Sequence, residues 1–393
     1  MTTTIINKNK KPNVPNLRFP EFKGEWEDFL INDVCSEFKS GKNIKADSVF
    51  ECGEYPVYGG NGLRGYTSSY NHEGSYVLIG RQGALCGNVR SVYGKTYITE
   101  HAIAVAGNEK SNTNFLHYLF LKMNLGQYSD QSAQPGLAVN KLLKLKVALP
   151  IISEQTKIAK FLSLLDERIA TQNKIIDSLQ TLIKGIADNI LDNPLWEKTY
   201  LRSFMQFFST NSLSWEQLSY EDGKIRNLHY GLIHSFQTSG INSASLPMVK
   251  YGAIPKQYTL CQVGDVAFAD ASEDTNEIGK SVEFVDTIDV DTICGLHTIH
   301  GRDVKNKTLI GFKGFAFNSR YFHNQIKRLA QGTKVFSITA NNLSSCYVYL
   351  PDLETQKAIV NLLKTYEAKL LVSKRLLEHY EKQKQYLLCQ MFI

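Results

Sequence analysis

Cysteine is sparse and unpatterned in this chain: seven residues, at positions 35, 52, 86, 261, 294, 346 and 389, odd in number and never in C-x-x-C spacing. Such usage gives no support to a disulfide framework or a zinc knuckle, and it suits a reducing cytosol. Histidine adds nothing to a metal case, since none of the nine falls in an H-x-x-x-H pair. Long apolar runs are missing too. None approaches the roughly 18 residues that a membrane span needs. The start, "MTTTIINKNKKPN", is polar and basic and lacks the apolar stretch of a signal peptide. A cytoplasmic protein with no membrane segment is expected. Neither sign of charge dominates: 44 Lys and Arg against 38 Asp and Glu give +6, which permits nucleic acid as a partner without demanding it.

Catalytic motifs are imitated rather than present. "YGKT" (93–96) ends like a phosphate-binding loop, but Val89 stands where its first glycine belongs. "DNPL" (192–195) lacks the second proline and the aromatic of a base-flipping D/N-P-P-Y loop. Pro351-Asp352 followed by Glu367-Ala368-Lys369 has the spacing of a metal-dependent nuclease, yet Glu367 and Lys369 fall on a helical pattern and read as a solvated face.

What the chain does contain is a repeat. "LPIISEQTKIAKFL" (149–162) returns as "LPDLETQKAIVNLL" (350–363), with Val147, Leu149, Pro150, Gln155, Ile158 and Leu162 meeting identical residues 201 positions on. Asn140 and Leu142 likewise match Asn341 and Leu343. Beyond each junction the apolar positions step by four and three, as in a heptad seam. They are Ile158, Leu162, Leu165, Ile169, Ile176, Leu179, Ile183, Ile186 and Ile190 in the first copy. In the second they are Ile359, Leu363, Tyr366, Leu370, Leu377, Tyr380, Lys384, Leu387 and Met391, with Lys384 the single break. Gln172 and Ser373 are polar at one shared register, which favours two helices that pair with each other about a pseudo-twofold axis. Leu164, Ile175 and Leu182 lie outside the seam and call for a further surface.

The blocks between the helices are strand-rich, and both begin with Trp-Glu, at 26 and 196. The organisation expected is α+β. A tail and lead-in at 1–25 precedes a first domain at 26–150 and a long helix at 151–193. A second domain at 194–350 and a second long helix at 351–393 follow. In the first domain, "YPVYGGNGLRGYTSSYN" (55–71) and "IGRQGALCGNV" (79–89) carry Asn61, Arg64, Tyr66, Arg81 and Gln82 on glycine-rich loops. These are residue types that hydrogen-bond base edges and phosphates. In the second domain, nine acids occupy 265–291 and eight basic residues 301–334, among them Arg302, Lys305 and Arg320. That segregation suits one face turned to DNA and another turned away. Gln331 and Lys334 sit in a glycine loop before the junction; Gln131, Ser132 and Gln134 hold the corresponding place in the first domain.

"PNLRFPEFKGEW" (15–26), the two glycine-rich stretches, "VGDVAFADAS" (263–272) and the twice-used "LP…EQ/TQ…I…L" helix starts resemble a specificity subunit of a type I restriction–modification system. The resemblance runs over nearly the whole chain. It implies two target-recognition domains of mixed α/β type, joined by two long antiparallel coiled-coil helices in a pseudo-twofold, duplicated chain. Each domain would read one half of a split site in double-stranded DNA. The helices would space the domains and dock two methyltransferase subunits, with restriction and motor subunits in the full complex. S-adenosylmethionine, ATP and Mg²⁺ would be bound by those partners and none by this chain, which would be non-catalytic. Two rivals stand beside this reading: a nuclease with its own metal site near Asp352 and Glu367, and a scaffold that binds proteins rather than DNA.

Overall fold

The computed structural model describes residues 13–130, 135–236, 239–286 and 288–393. Two compact units form, one from the chain up to Asn173 together with Arg375–Ile393, the other from Lys174–Lys374. The expected long helices are continuous over Ile152–Leu191 and Leu353–Met391. Each passes from one unit into the other. Among the described residues no helix is long and apolar enough to cross a membrane.

In the first unit six strands lie in the order Cys35–Ser40, Ala102–Gly107, His72–Gly80, Val89–Ile98, Tyr55–Gly59, Gly62–Thr67. Side chains alternate across a strand, and the central pair uses both faces. Val77, Ile79, Ile103 and Val105 meet Phe115, Leu119 and Phe120 of the helix Thr113–Met123. Leu78, Ala102 and Ala104 form a separate cluster with Val92 and Ile98. Asn112 starts the helix, its side chain accepting from the amides of Asn114 at 2.9 Å and Phe115 at 3.1 Å.

The second unit holds a five-stranded sheet, ordered Met205–Phe208, Thr298–Asp303, Val266–Ala269, Ser281–Phe284, Gly240–Ile241. Its first four strands repeat the order of the first four above. A four-stranded sheet, ordered Leu218–Ser219, Met248–Val249, Ile225–Leu228, Thr292–Cys294, is added to it.

The two repeated sequence signals meet in one device. Glu27 pairs with Leu149 in a two-stranded ribbon, and Glu197 pairs with Leu350 in another. Each Trp-Glu start is thus zipped to its own leucine-proline junction. The glutamine after each junction is fully buried. Gln155 accepts from the Asn112 amide at 2.8 Å and donates to the carbonyls of Lys110 and Pro150 at 2.9 and 2.8 Å. Gln356 repeats this on the Leu309 amide and the carbonyls of Lys307 and Pro351, at 2.8, 3.0 and 3.0 Å. Losing such a group strands a buried amide and two carbonyls. Gln356→Ala should therefore cost about 2–4 kcal/mol of stability, read as a lower melting temperature by calorimetry. A melting temperature equal to that of the wild type would contradict this role.

The helix pairing is antiparallel within each unit. Ile158, Leu162 and Leu165 from the start of the first helix share a core with Leu387, Met391 and Phe392 from the end of the second. Ala187 and Leu191 from the end of the first share the other core with Ile359, Val360 and Leu363. Lys384, the break in the seam, ion-pairs with Asp166 at 2.5 Å, and Asp166 also accepts from the Tyr118 hydroxyl at 2.8 Å. Leu164, Ile175 and Leu182 are 50%, 42% and 44% exposed, so their apolar surface is left uncovered.

Two expectations need correction. The acidic and basic runs of the second domain do not make opposite faces. Val266–Ala269 pairs with Thr298–Asp303 in one sheet, so the two runs share a sheet, and two acids of one meet two basic residues of the other inside the unit. Arg302 binds Asp265, and Lys313 binds Glu283 at 2.8 Å with both side chains buried. Nor is Glu367 on a solvated face. Burial lifts its carboxyl above the usual range, against the Ser239 amide that donates to it at 2.8 Å.

Candidate nucleic-acid interface

In the first unit the glycine-rich stretches converge. Asn61, Arg64 and Gln82 line a cavity of about 280 Å³ together with Gly59, Gly60 and His101. His101 is a residue the sequence did not single out. Its ring lies 3.3 Å from the Gln82 side-chain oxygen and 3.2 Å from a Glu100 oxygen. Gly60 is required by crowding, because a Cβ there would stand 2.7 Å from the His101 carbonyl oxygen. The surface thus offers the guanidinium of Arg64, two side-chain amides and an imidazole, a set suited to base edges and phosphate.

Arg81 braces this site through its backbone. Its amide donates to the His101 carbonyl at 2.9 Å, and its carbonyl accepts from Leu137 at 2.9 Å. The second unit makes the same two bonds: Asp270 donates to His297 at 3.0 Å and accepts from Ile338 at 2.9 Å. The neighbouring loops agree as well. Asp130 donates to Gly136, as Gln331 does to Ser337, and Gln82 bridges to Gly136 while Ala271 pairs with Ser337. One backbone site is therefore built twice, with Arg81–Gln82–His101 in one copy and Asp270–Ala271–His297 in the other.

The side chains of the second copy differ in chemistry. His297 lies 3.1 Å from the Asp270 carboxylate. Burial raises that carboxyl above its ordinary range, with His297 pulling the other way. Aromatic rings continue from there: Tyr230 is 5.3 Å from His297 and 4.7 Å from His229, which is 4.5 Å from Trp215. Burial, with His297 adding, lowers the His229 pKa and favours the neutral ring. Trp215 is 45% exposed. Asp270 thus stands where the first copy has Arg81 and Ala271 where it has Gln82, the imidazole is common to both, and the run Tyr230–His229–Trp215 extends the second copy.

Other sequence candidates are distributed unevenly. Gln331 and Lys334 lie exposed on the loop beside Asp270. Gln131, Ser132 and Gln134 lie outside the described residues. Tyr66 is half-buried, pairs with Phe50 and does not line the cavity. Arg302 is committed inside the unit, with Nε and Nη2 at 2.8 and 2.7 Å from the two Asp265 oxygens. Lys305 follows the far end of the Thr298–Asp303 strand, about 17 Å from its His297 end at 3.3 Å per residue. The Arg320 amide is capped by Asp188 of the long helix at 2.7 Å. Arg302 and Lys305 do not join the Asp270 site. The nuclease arrangement also fails. Asp352 caps the second long helix, accepting from the Thr355 amide at 2.8 Å, and Glu367 lies four turns on, about 22 Å away along a helix.

Comparison with known proteins agrees with this duplicated architecture. Residues 23–181 and 288–381 match the family described as the type I restriction modification DNA specificity domain. The type I restriction enzyme EcoprrI specificity subunit of Escherichia coli is 45% identical over 154 residues, 38% of this chain and 38% of that protein. A putative specificity subunit of Haemophilus influenzae is 28% identical over 36% of this chain, and the match spans 37% of its length. The MjaVIII specificity subunit of Methanocaldococcus jannaschii is 25% identical over 94% of this chain and 92% of its own. In fold, the chain resembles the S subunit of a type I restriction–modification system from M. genitalium. The TM-score is 0.64 at 15% identity, covering 97% of this chain and 99% of that one. The chain belongs to the type I restriction modification DNA specificity family.

Proposed function

We propose that this chain is a non-catalytic specificity subunit that reads a two-part site in double-stranded DNA, one half per domain. On this reading it directs two methyltransferase subunits, and restriction and motor subunits with them, to that site. The observation that carries the proposal is the site built twice on one backbone plan around a shared imidazole, with arginine and amides beside it in one copy and an acid and an aromatic run in the other. Equal scaffolds with unequal side chains are what two different half-sites require. Arginine pairs well with guanine N7 and O6, and a carboxylate accepts from the cytosine amino group. The uncovered apolar residues of the long helices offer the partner subunits a surface, while S-adenosylmethionine, ATP and Mg²⁺ are left to those partners.

The test is genome-wide mapping of methylated bases in cells that carry this chain and its methyltransferase partner. A split motif with two unlike halves is expected. Asp270→Ala should relax one half and leave the other intact. A continuous motif, or relaxation of both halves in a folded variant, would count against the assignment.

A further inference from the structure

Where the two sheets of the second unit meet, three metal-ligating side chains converge. Cys261 pairs through its amide with the Thr292 carbonyl, Cys294 ends the Thr292–Cys294 strand, and His300 lies within Thr298–Asp303. All three are buried. The thiol sulfurs stand 3.6 Å apart, and one ligand atom from each residue lies within 4.8 Å of the others. A tetrahedral zinc with Zn–S bonds of about 2.3 Å sets its sulfurs about 3.8 Å apart, so the thiols already have nearly the required separation.

The surroundings complete the case. His300 Nε2 is held by Asp265 at 2.7 Å, which fixes the ring, so Nδ1 is the nitrogen that would take a metal; a carboxylate behind an imidazole is the usual orienting arrangement at zinc. Arg302 neutralises Asp265. Two thiolates would then balance a divalent ion without leaving a net charge in the core. A cavity of about 210 Å³ opens onto Cys294 and His300 and is bordered by Ser209, Thr210, Asn211 and Tyr258. It would offer an ion a path inward and room for a water at its fourth position. Thiols packed merely as small hydrophobes need neither the oriented imidazole nor the polar cavity.

We propose that Cys261, Cys294 and His300 bind a zinc ion that staples the four-stranded sheet to the five-stranded sheet of this unit. Binding releases the two thiol protons and involves no redox change. Residue spacing along the chain carries no sign of it, because the ligands come from three separate segments rather than from one loop.

The experiment uses the full chain, purified under reducing conditions without chelator and co-expressed with its partners where solubility requires. Metal content is measured by mass spectrometry, and Co²⁺ is titrated into the metal-free protein. One zinc per chain and a thiolate-to-cobalt charge-transfer band are expected. Both should be lost in Cys261→Ser and Cys294→Ser and retained in Cys346→Ser, another buried thiol. Because a variant can fail through misfolding, the wild type decides. A folded wild type with no zinc and no thiolate band overturns the proposal, and so does a Cys261–Cys294 disulfide in the freshly isolated protein.

Discussion

Four residues inserted at Asn173/Lys174 and four more at Lys374/Arg375 should lengthen the non-specific spacer of the DNA target and leave both half-sites unchanged. These are the points at which each long helix passes from one compact unit to the other. Each unit's core takes the start of one helix and the end of the other, so paired insertions preserve every contact inside both units. Four residues add about 6 Å of helix and about 40° beyond a full turn, a shift that coiled coils absorb as a stutter. At 3.4 Å per base pair, the spacer should grow by about one or two pairs. Methylation mapping reads the outcome directly. An unchanged spacer in an active complex would remove the helices from the role of ruler. Altered half-site bases would mean that they do more than set distance. A single insertion forces the two helices out of step and should instead reduce activity sharply.

Replacing Arg64 or Gln82 by alanine should abolish discrimination at one or two base pairs in a single half-site. Both side chains line the same cavity of the first unit, and the second unit has no part in it. A good bidentate base contact is worth about 1–3 kcal/mol, or about 5- to 150-fold in preference for the correct base. Competition binding with duplexes altered at single positions measures this. The cleanest result is loss of preference in one half with the melting temperature unchanged. A uniform loss of affinity, with a shallower salt dependence, would make Arg64 a phosphate contact instead.

Some of this molecule is legible from its residues alone. The 201-residue repeat, the heptad steps and the two Trp-Glu starts are local patterns, and local patterns report periodicity and chain direction faithfully. They give two long helices, two strand-rich domains and a duplicated plan. That Asn61, Arg64 and Gln82 lie on glycine-rich stretches is likewise readable from the residues, whereas their convergence on one cavity, with Arg64 on the strand Gly62–Thr67, is not.

The pairing of those elements was decided only by the tertiary structure. His101 and His297 occupy equivalent places, yet they lie 196 residues apart rather than 201, so a gapless comparison cannot align them. The acidic and basic runs read as opposite faces in one dimension, whereas folding brings Asp265 to Arg302 across neighbouring strands and Glu283 to Lys313 of the helix Phe312–Ala316. Cys261, Cys294 and His300 are unremarkable in one dimension and adjacent in three. The two long helices and the strand-rich character of the blocks between them follow from the side-chain period along each segment. Which side chains share a site depends on strand order and register, which are set by long-range contacts that no short window contains.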